Sequence, residues 1–329
     1  MSPRGKATAL LVSLMVVLTA CTSPDDRPPV SSTPSTPTKP VFQDQHLRDV
    51  RMTSGLALGY VQPETASQIL CQLLDKERWE RLLDGKIGRK PFNAPYAGCQ
   101  IATEQGMISM QLLQRDAAFE AKTTIAGRPS TMVQKDNSVI TVALTDDALQ
   151  PAPRQYYPVR RLLELEVIGG DHEEQRDVGT RVLTEIVPLL TKDGEPLPDI
   201  IDRQGHVRYV STPLAKADQF VDLPQPVQAL QLCTALQENP SVHVVATQVQ
   251  VFDTGRCAIS TGQEPVTVEA QHLTYPVDYP DRIAGRPAWA PSDPPVVTVR
   301  LRDDADVQLY VSASDSVALA EKLVPLLVS

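Results

Sequence analysis

Ile125-Ala126-Gly127-Arg128-Pro129 recurs unchanged as Ile283-Ala284-Gly285-Arg286-Pro287, 158 residues further along the chain. The same offset of 158 carries Cys99 onto Cys257. Residues 139–147 (VITVALTDD) fall on 296–304 (VVTVRLRDD) at an offset of 157, Cys71 falls on Cys233 at 162, and the VPLL of 187–190 falls on 324–327 at 137. Order is kept throughout. Small insertions and deletions, with one insertion of about twenty residues near 151–161 of the first copy, absorb the drift, so the pattern reads as an internal duplication. It divides the body into a first repeat over 46–192, a Pro-rich connector over 193–225 and a second repeat over 226–329.

Ahead of the repeats, Arg4 and Lys6 precede an apolar run from Ala7 to Leu18 and then small residues leading to Cys21. That is the layout of a secretory signal peptide over residues 1–20, and the run is too short to span a bilayer, which needs about twenty apolar residues. Leu18-Thr19-Ala20-Cys21 resembles the bacterial lipobox. The resemblance implies cleavage before Cys21, diacylglycerol on its sulfur, and attachment to the outer, extracytoplasmic face of the cell membrane. Buried acyl chains supply about 0.8 kcal/mol per methylene, and two or more hold stably. Residues 21–45 follow as a lipidated tether: fourteen of the nineteen residues from Thr22 to Pro40 are Ser, Thr or Pro, and such a stretch buries too little apolar surface to order itself. The formal net charge of −9 becomes −11 once the signal peptide is removed. Nucleic acid is therefore not expected as a partner, because phosphate binding needs clustered Lys and Arg.

With Cys21 assigned to lipid, Cys71, Cys99, Cys233 and Cys257 remain, and an even remainder in an exported chain reads as a disulfide framework with three possible connectivities. The duplication chooses among them. If each copy is self-contained, Cys71 pairs with Cys99 and Cys233 with Cys257.

Within the first copy, Ala66, Ile69, Leu70, Leu73 and Leu74 recur at helical spacing after Pro63, which predicts a helix carrying Cys71. Asp75 is placed to cap a second helix over 76–83, with Gly85 at its end. Strands are expected over 98–103, 107–114, 139–144 and 162–168, and a closing helix over 173–190. The second copy repeats this with a shorter first helix over 227–236, strands over 242–251, 257–261, 266–273, 296–301 and 307–311, and a closing helix over 316–327. Pro188 and Pro325 should kink or end the closing helices. In the connector, 207–210 can add an edge strand. The fold class that follows is α+β: two tandem related domains, each an antiparallel sheet flanked by N- and C-terminal helices and each with one disulfide.

The run Cys71-Gln-Leu-Leu-Asp, a helix, and then Cys99 opening a strand pair resembles an actinobacterial extracytoplasmic lipoprotein domain of unknown function. That domain is similar in fold to the PsbP and LpqN group, and the resemblance covers most of 50–329 as two copies. It implies a sheet flanked by helices and brings no catalytic residues.

Chemistry is sparse in the sequence. Histidines 46, 172, 206, 243 and 272 form no H-E-x-x-H pair, and no nucleophile elbow, S-x-x-K set or glycine-rich phosphate loop is present. No metal ligand set and no cofactor motif is expected. Asp171-His172-Glu173-Glu174 reads as an acidic helix start, and the paired aspartates at 146–147 and 303–304 read as turns. Gly127-Arg128-Pro129 and Gly285-Arg286-Pro287 read as loops, with Arg128 and Arg286 the candidates for gripping an anionic ligand. The leading functional expectation is a non-enzymatic binding or interaction module of the cell envelope, whose partner is an envelope protein or small ligand met at a sheet face or in the groove between domains. One alternative is a carrier of lipid or another apolar molecule. Another is an enzyme with an interdomain site, marked by a histidine and a carboxylate in contact within a deep cleft.

Overall fold

The computed structural model describes residues 47–89, 92–93, 97–114, 119–146, 159–202, 204–215, 219–262, 264–272, 279–291, 295–304 and 307–328. The signal segment, Cys21, the tether, His46, Asp147 and most of the expected insertion lie outside the described residues.

Helix α1 (Gly55–Leu58) leads into α2 (Pro63–Gln72), which begins on proline, whose fixed φ suits a first helical turn. Asp75 caps α3 (Lys76–Leu82) by accepting from the Arg78 amide, as its sequence position suggests. The end of α3 differs from expectation: Asp84, at φ 50°, takes the left-handed conformation assigned to Gly85. Strands β1 (Ile87–Arg89), β2 (Phe92–Asn93), β3 (Gly98–Thr103), β4 (Met107–Leu113), β5 (Thr123–Ile125), β6 (Arg128–Gln134), β7 (Ser138–Ala143) and β8 (Leu162–Ile168) precede helix α4 (His172–Thr191).

The stretch read as a loop around Gly127 is a hairpin. Ile125 pairs with Arg128, and both residues between them have positive φ, Ala126 at 49° and Gly127 at 75°. Such a two-residue turn matches the twist of its flanking strands. Arg128 and Pro129 therefore belong to β6, and the second copy repeats the device at Ala284 and Gly285.

The rest of the chain comprises β9 (His206–Val207), a 3-10 turn (Phe220–Asp222), α5 (Gln225–Glu238), β10 (Gln248–Phe252), β11 (Arg256–Ser260), β12 (Val266–His272), β13 (Asp281–Ile283), β14 (Arg286–Trp289), β15 (Val296–Arg300), β16 (Val307–Ser312) and α6 (Ser316–Leu327). Two expectations are corrected here. Helix α5 has 14 residues against 10 in α2, so the second copy's first helix is the longer one. No strand forms over 242–247, because the Val242 amide donates to Asn239 and the Val244 amide to Leu236, both at the end of α5. Pro188 and Pro325 end neither helix at once, since α4 runs on to Thr191 and α6 to Leu327. A proline removes the amide that would pair with the carbonyl four residues earlier, here Thr184 and Glu321, and both residues are exposed.

Among the described residues the strands form two antiparallel sheets. One has the order β5-β6-β7-β8-β4-β3-β1, with β2 also on β3, and the other β13-β14-β15-β16-β12-β11-β10-β9. Read from the repeated hairpins, the first six places correspond one to one. In the first sheet Cys99, Met110, Leu165 and Ile140 stand in one register row and are fully buried. Cys99 is bonded to Cys71 of α2, while a side chain at Gly179 of α4 would strike Ile140 at 2.6 Å, so both helices cover this face. In the second sheet the matching row is Cys257, Val268, Val311 and Val297, with Cys257 bonded to Cys233 of α5 and α6 packed on β15 and β16. The two bridges close loops of sequence separation 28 and 24. Each restricts the unfolded chain by roughly 3.5 kcal/mol in loop-entropy terms.

Stretch 193–225 is structured in part. Beyond β9 it places Phe220, Val221 and Leu223 in the core of the second sheet. It also supplies Asp222 to a buried charge network. Arg48 donates to both Asp222 oxygens, at 2.5 and 2.9 Å, and to both Glu64 oxygens, at 2.7 and 3.2 Å. Burial opposes the charge on Arg48, but its hydrogen bonds to Asp222 and Glu64 outweigh that and raise its pKa. Burial raises the pKa of Glu64, with Arg48 pulling the other way. Nearby, Gln62 donates to the Ala270 carbonyl and the Gln225 amide donates to the Tyr60 carbonyl, so residues 44–329 make one compact unit.

Candidate functional site

A cleft of about 380 Å³ opens where the two sheets' elements meet. Six short chain segments line it. Gln62 and Pro63 at the start of α2, with Gln114 just past β4 and Arg160 just before β8, form one wall. Gln225 at the start of α5 and Thr254 lie between. The other wall is the end of β12, where burial alternates: Val268 and Ala270 face the core, while Glu269 and Gln271 face outward and Glu269, Gln271 and His272 line the cleft.

Arg160 is the distinctive group. It is partly buried, its Nη1 donates to the Val61 carbonyl at 2.9 Å, and its amide donates to the Gly59 carbonyl. Among the described residues no carboxylate lies within ion-pair distance of it. Burial lowers its pKa to about 10, a fall with no counter-charge to offset it. Cations removed from water are ordinarily paired, which makes this one conspicuous. In the same lining, Glu269 is hydrogen-bonded to Gln271 and stands opposite Arg256 in the β11–β12 register. Burial pushes its carboxyl up, with Gln271 and Arg256 pulling down. Arg256 in turn stacks over Phe252, 3.9 Å from the ring centre, a cation–π contact.

The residues singled out in the sequence lie elsewhere. Arg128 binds Asp146 at 2.5 Å and the Leu144 carbonyl, while Arg286 donates to the Val328 carbonyl and stands 4.0 Å from Asp303. Arg128 thus ties its hairpin to the segment that follows β7, and Arg286 ties its own to the end of α6, with Asp303 beyond β15 nearby. Asp171 is the N-cap of α4, accepting from Glu173 and Glu174 while Glu174 reaches back to the Asp171 amide, a structural use of the acidic start. His206 Nδ1 is 2.6 Å from Asp202 at the outer edge of the second sheet, beside the buried Asp253, and none of these residues lines the cleft. Among the described residues no group of three or more His, Cys, Asp or Glu is placed to hold a metal ion.

A second groove, of about 390 Å³, runs between α3, α4 and the β3–β4 turn. Its charges have structural employment: Arg181 binds Asp84 and the Leu82 carbonyl, and Glu174 completes the helix cap. Of these two grooves, the junction cleft presents a cation that has no partner of opposite charge among the described residues. Sequence reasoning missed Arg160 because nothing in the adjacent pair Arg160-Arg161 marks one as withdrawn from water.

Comparison with known proteins finds no matching family model, no matching curated protein and no matching solved structure.

Proposed function

We propose that this chain is a lipid-anchored, extracytoplasmic binding module of the cell envelope, non-enzymatic, that takes its ligand in the junction cleft. The observation that carries the reading is the position of Arg160, a guanidinium held by one backbone carbonyl in the lining of an open cleft and, among the described residues, left without a counter-charge. The signal segment and lipobox-like Leu18-Thr19-Ala20-Cys21 support export and anchoring. Two disulfides within the body fit an oxidising compartment. In this reading the two halves are tandem related domains descended from one unit. Support comes from the shared strand order, the matched bridges, and the matched Arg128–Asp146 and Arg286–Asp303 pairs. The kinship suggested for that unit is the actinobacterial lipoprotein domain with a PsbP- or LpqN-like sheet.

Both described grooves combine polar and apolar linings, which suits recognition of a polar group better than carriage of an apolar chain. Affinity purification of the detergent-extracted full chain, with wild-type protein beside Gln62→Trp and Gln271→Trp variants that fill the cleft, tests the reading. A partner or small molecule retained by wild type and lost from both folded variants supports it. Equal retention by all three places binding elsewhere.

A further inference from the structure

Resting on that reading, we infer that the junction cleft binds an oxyanion head group, a carboxylate or phosphate ester, through the guanidinium of Arg160. Arginine carries five N–H donors in a rigid fork matched to two oxygens. Only one side-chain bond of Arg160 is made within the described residues, to the Val61 carbonyl. That bond anchors one terminal nitrogen, and among the described residues the rest of the fork is left for a ligand. A charge held out of water without a partner is costly, and an incoming anion repays that cost with a charge-assisted, bidentate contact.

Two further features favour negative charge at the same place. Helices α2 and α5 both begin at the cleft, through Gln62-Pro63 and Gln225, and neither has a side-chain cap hydrogen bond at its N-terminus. The positive ends of two helix dipoles therefore add to the field of Arg160. The acidic residue of the first turn of α2, Glu64, is turned to Arg48 and engaged there. Glu269 is a carboxylate in the same lining, with Arg256 as its neighbour. It limits the charge the cleft tolerates and can accept a hydrogen bond from a hydroxyl or ammonium group on the same ligand. The class this describes is a small polar molecule bearing one oxyanion head group and a donor beside it.

Two sources present such a head group, a free solute and an anionic phospholipid in the membrane to which the chain is proposed to be anchored. The test uses the full mature chain in zwitterionic detergent and follows arginine side-chain Nε–Hε resonances by NMR. Sodium phosphate, sodium acetate and phosphatidylglycerol vesicles are added separately, with sodium chloride and phosphatidylcholine vesicles as controls. A saturable shift of the Arg160 resonance with phosphate or acetate, beyond that of chloride, is the expected result. A shift confined to phosphatidylglycerol vesicles supports the anion site and assigns the source to lipid. Arg160→Gln should weaken the response at least tenfold, and Arg160→Lys, which keeps the charge but loses the fork, should fall between. The wild-type resonance remains decisive if Arg160→Gln fails to fold. No shift beyond the controls, or an unchanged response of the neighbouring amides in a folded Arg160→Gln, overturns the inference. If cleft-dependent partner capture survives while the anion response is absent, the binding-module reading stands and this inference alone falls.

Discussion

Arg48 Nη2 lies 2.5 Å from Asp222 Oδ1, joining residues 174 positions apart inside the protein. The same guanidinium is bound to Glu64, so three charges share a site from which water is largely removed. Removing one member leaves the others uncompensated. Arg48→Ala is expected to lower stability by about 3–5 kcal/mol, read from urea denaturation. Replacing all three together, as Arg48→Met, Glu64→Gln and Asp222→Asn, should cost less than Arg48→Ala alone, because no buried charge is then stranded. A triple variant weaker than the single one would show that the network contributes more than mutual neutralisation.

A second prediction concerns pH. Asp253 is buried beside Gly205, and burial raises its pKa from 3.8 to about 6, with Asp202 adding to the rise and its own backbone hydrogen bond and His206 opposing it. In the window from 3.8 to about 6 the folded protein binds more proton at this site than the unfolded chain. Stability from this group is therefore greatest at the acid end and is lost as pH rises through about 6. Asp253→Asn should remove that slope, so the difference in denaturation midpoint between variant and wild type should grow from pH 4.5 to pH 7.5 in favour of the variant. A constant difference across that range would contradict the assignment.

The disulfides make a third case. Non-reducing peptide mapping should recover 71 linked to 99 and 233 linked to 257. Replacing Cys71 and Cys99 by Ser together should cost roughly 3.5 kcal/mol, measured by denaturation against wild type.

The repeated hairpin yields a fourth. Ala126 stands at φ 49°, where an alanine is strained and asparagine is at ease. Ala126→Asn should raise stability by about 0.5–1 kcal/mol, whereas Gly127→Val, at φ 75°, should lower it by at least that much. Nothing stands within 4 Å of the position a Cβ would take on Gly127, so the loss reports backbone conformation and not a clash.

Several elements were legible because one local signal sufficed. The Asp75 cap and the apolar spacing from Ala66 to Leu74 placed α2 and α3, and the strand-like runs over 98–103 and 162–168 coincide with β3 and β8. The duplication selected the correct cysteine pairs from three connectivities. Strands β5 and β6 were not legible, because Ala-Gly is a poor advertisement for a turn that usually carries Asn-Gly. The false strand over 242–247 is a segment of β-favouring valines whose amides are captured by the end of α5. The candidate site was hidden for a different reason. Arg128 and Arg286 drew attention by recurring, yet recurrence reflected a shared hairpin brace, whereas Arg160 gains its character from Val61 and Gly59, nearly a hundred residues away.

The place of Arg48 in the chain has a mechanical consequence. Tension drawn through the residues before Leu47 reaches the folded body one position ahead of the guanidinium that clasps Glu64 and Asp222. Load would therefore fall first on the seam between the halves, and a pull from that end would strain both halves together in place of peeling one away.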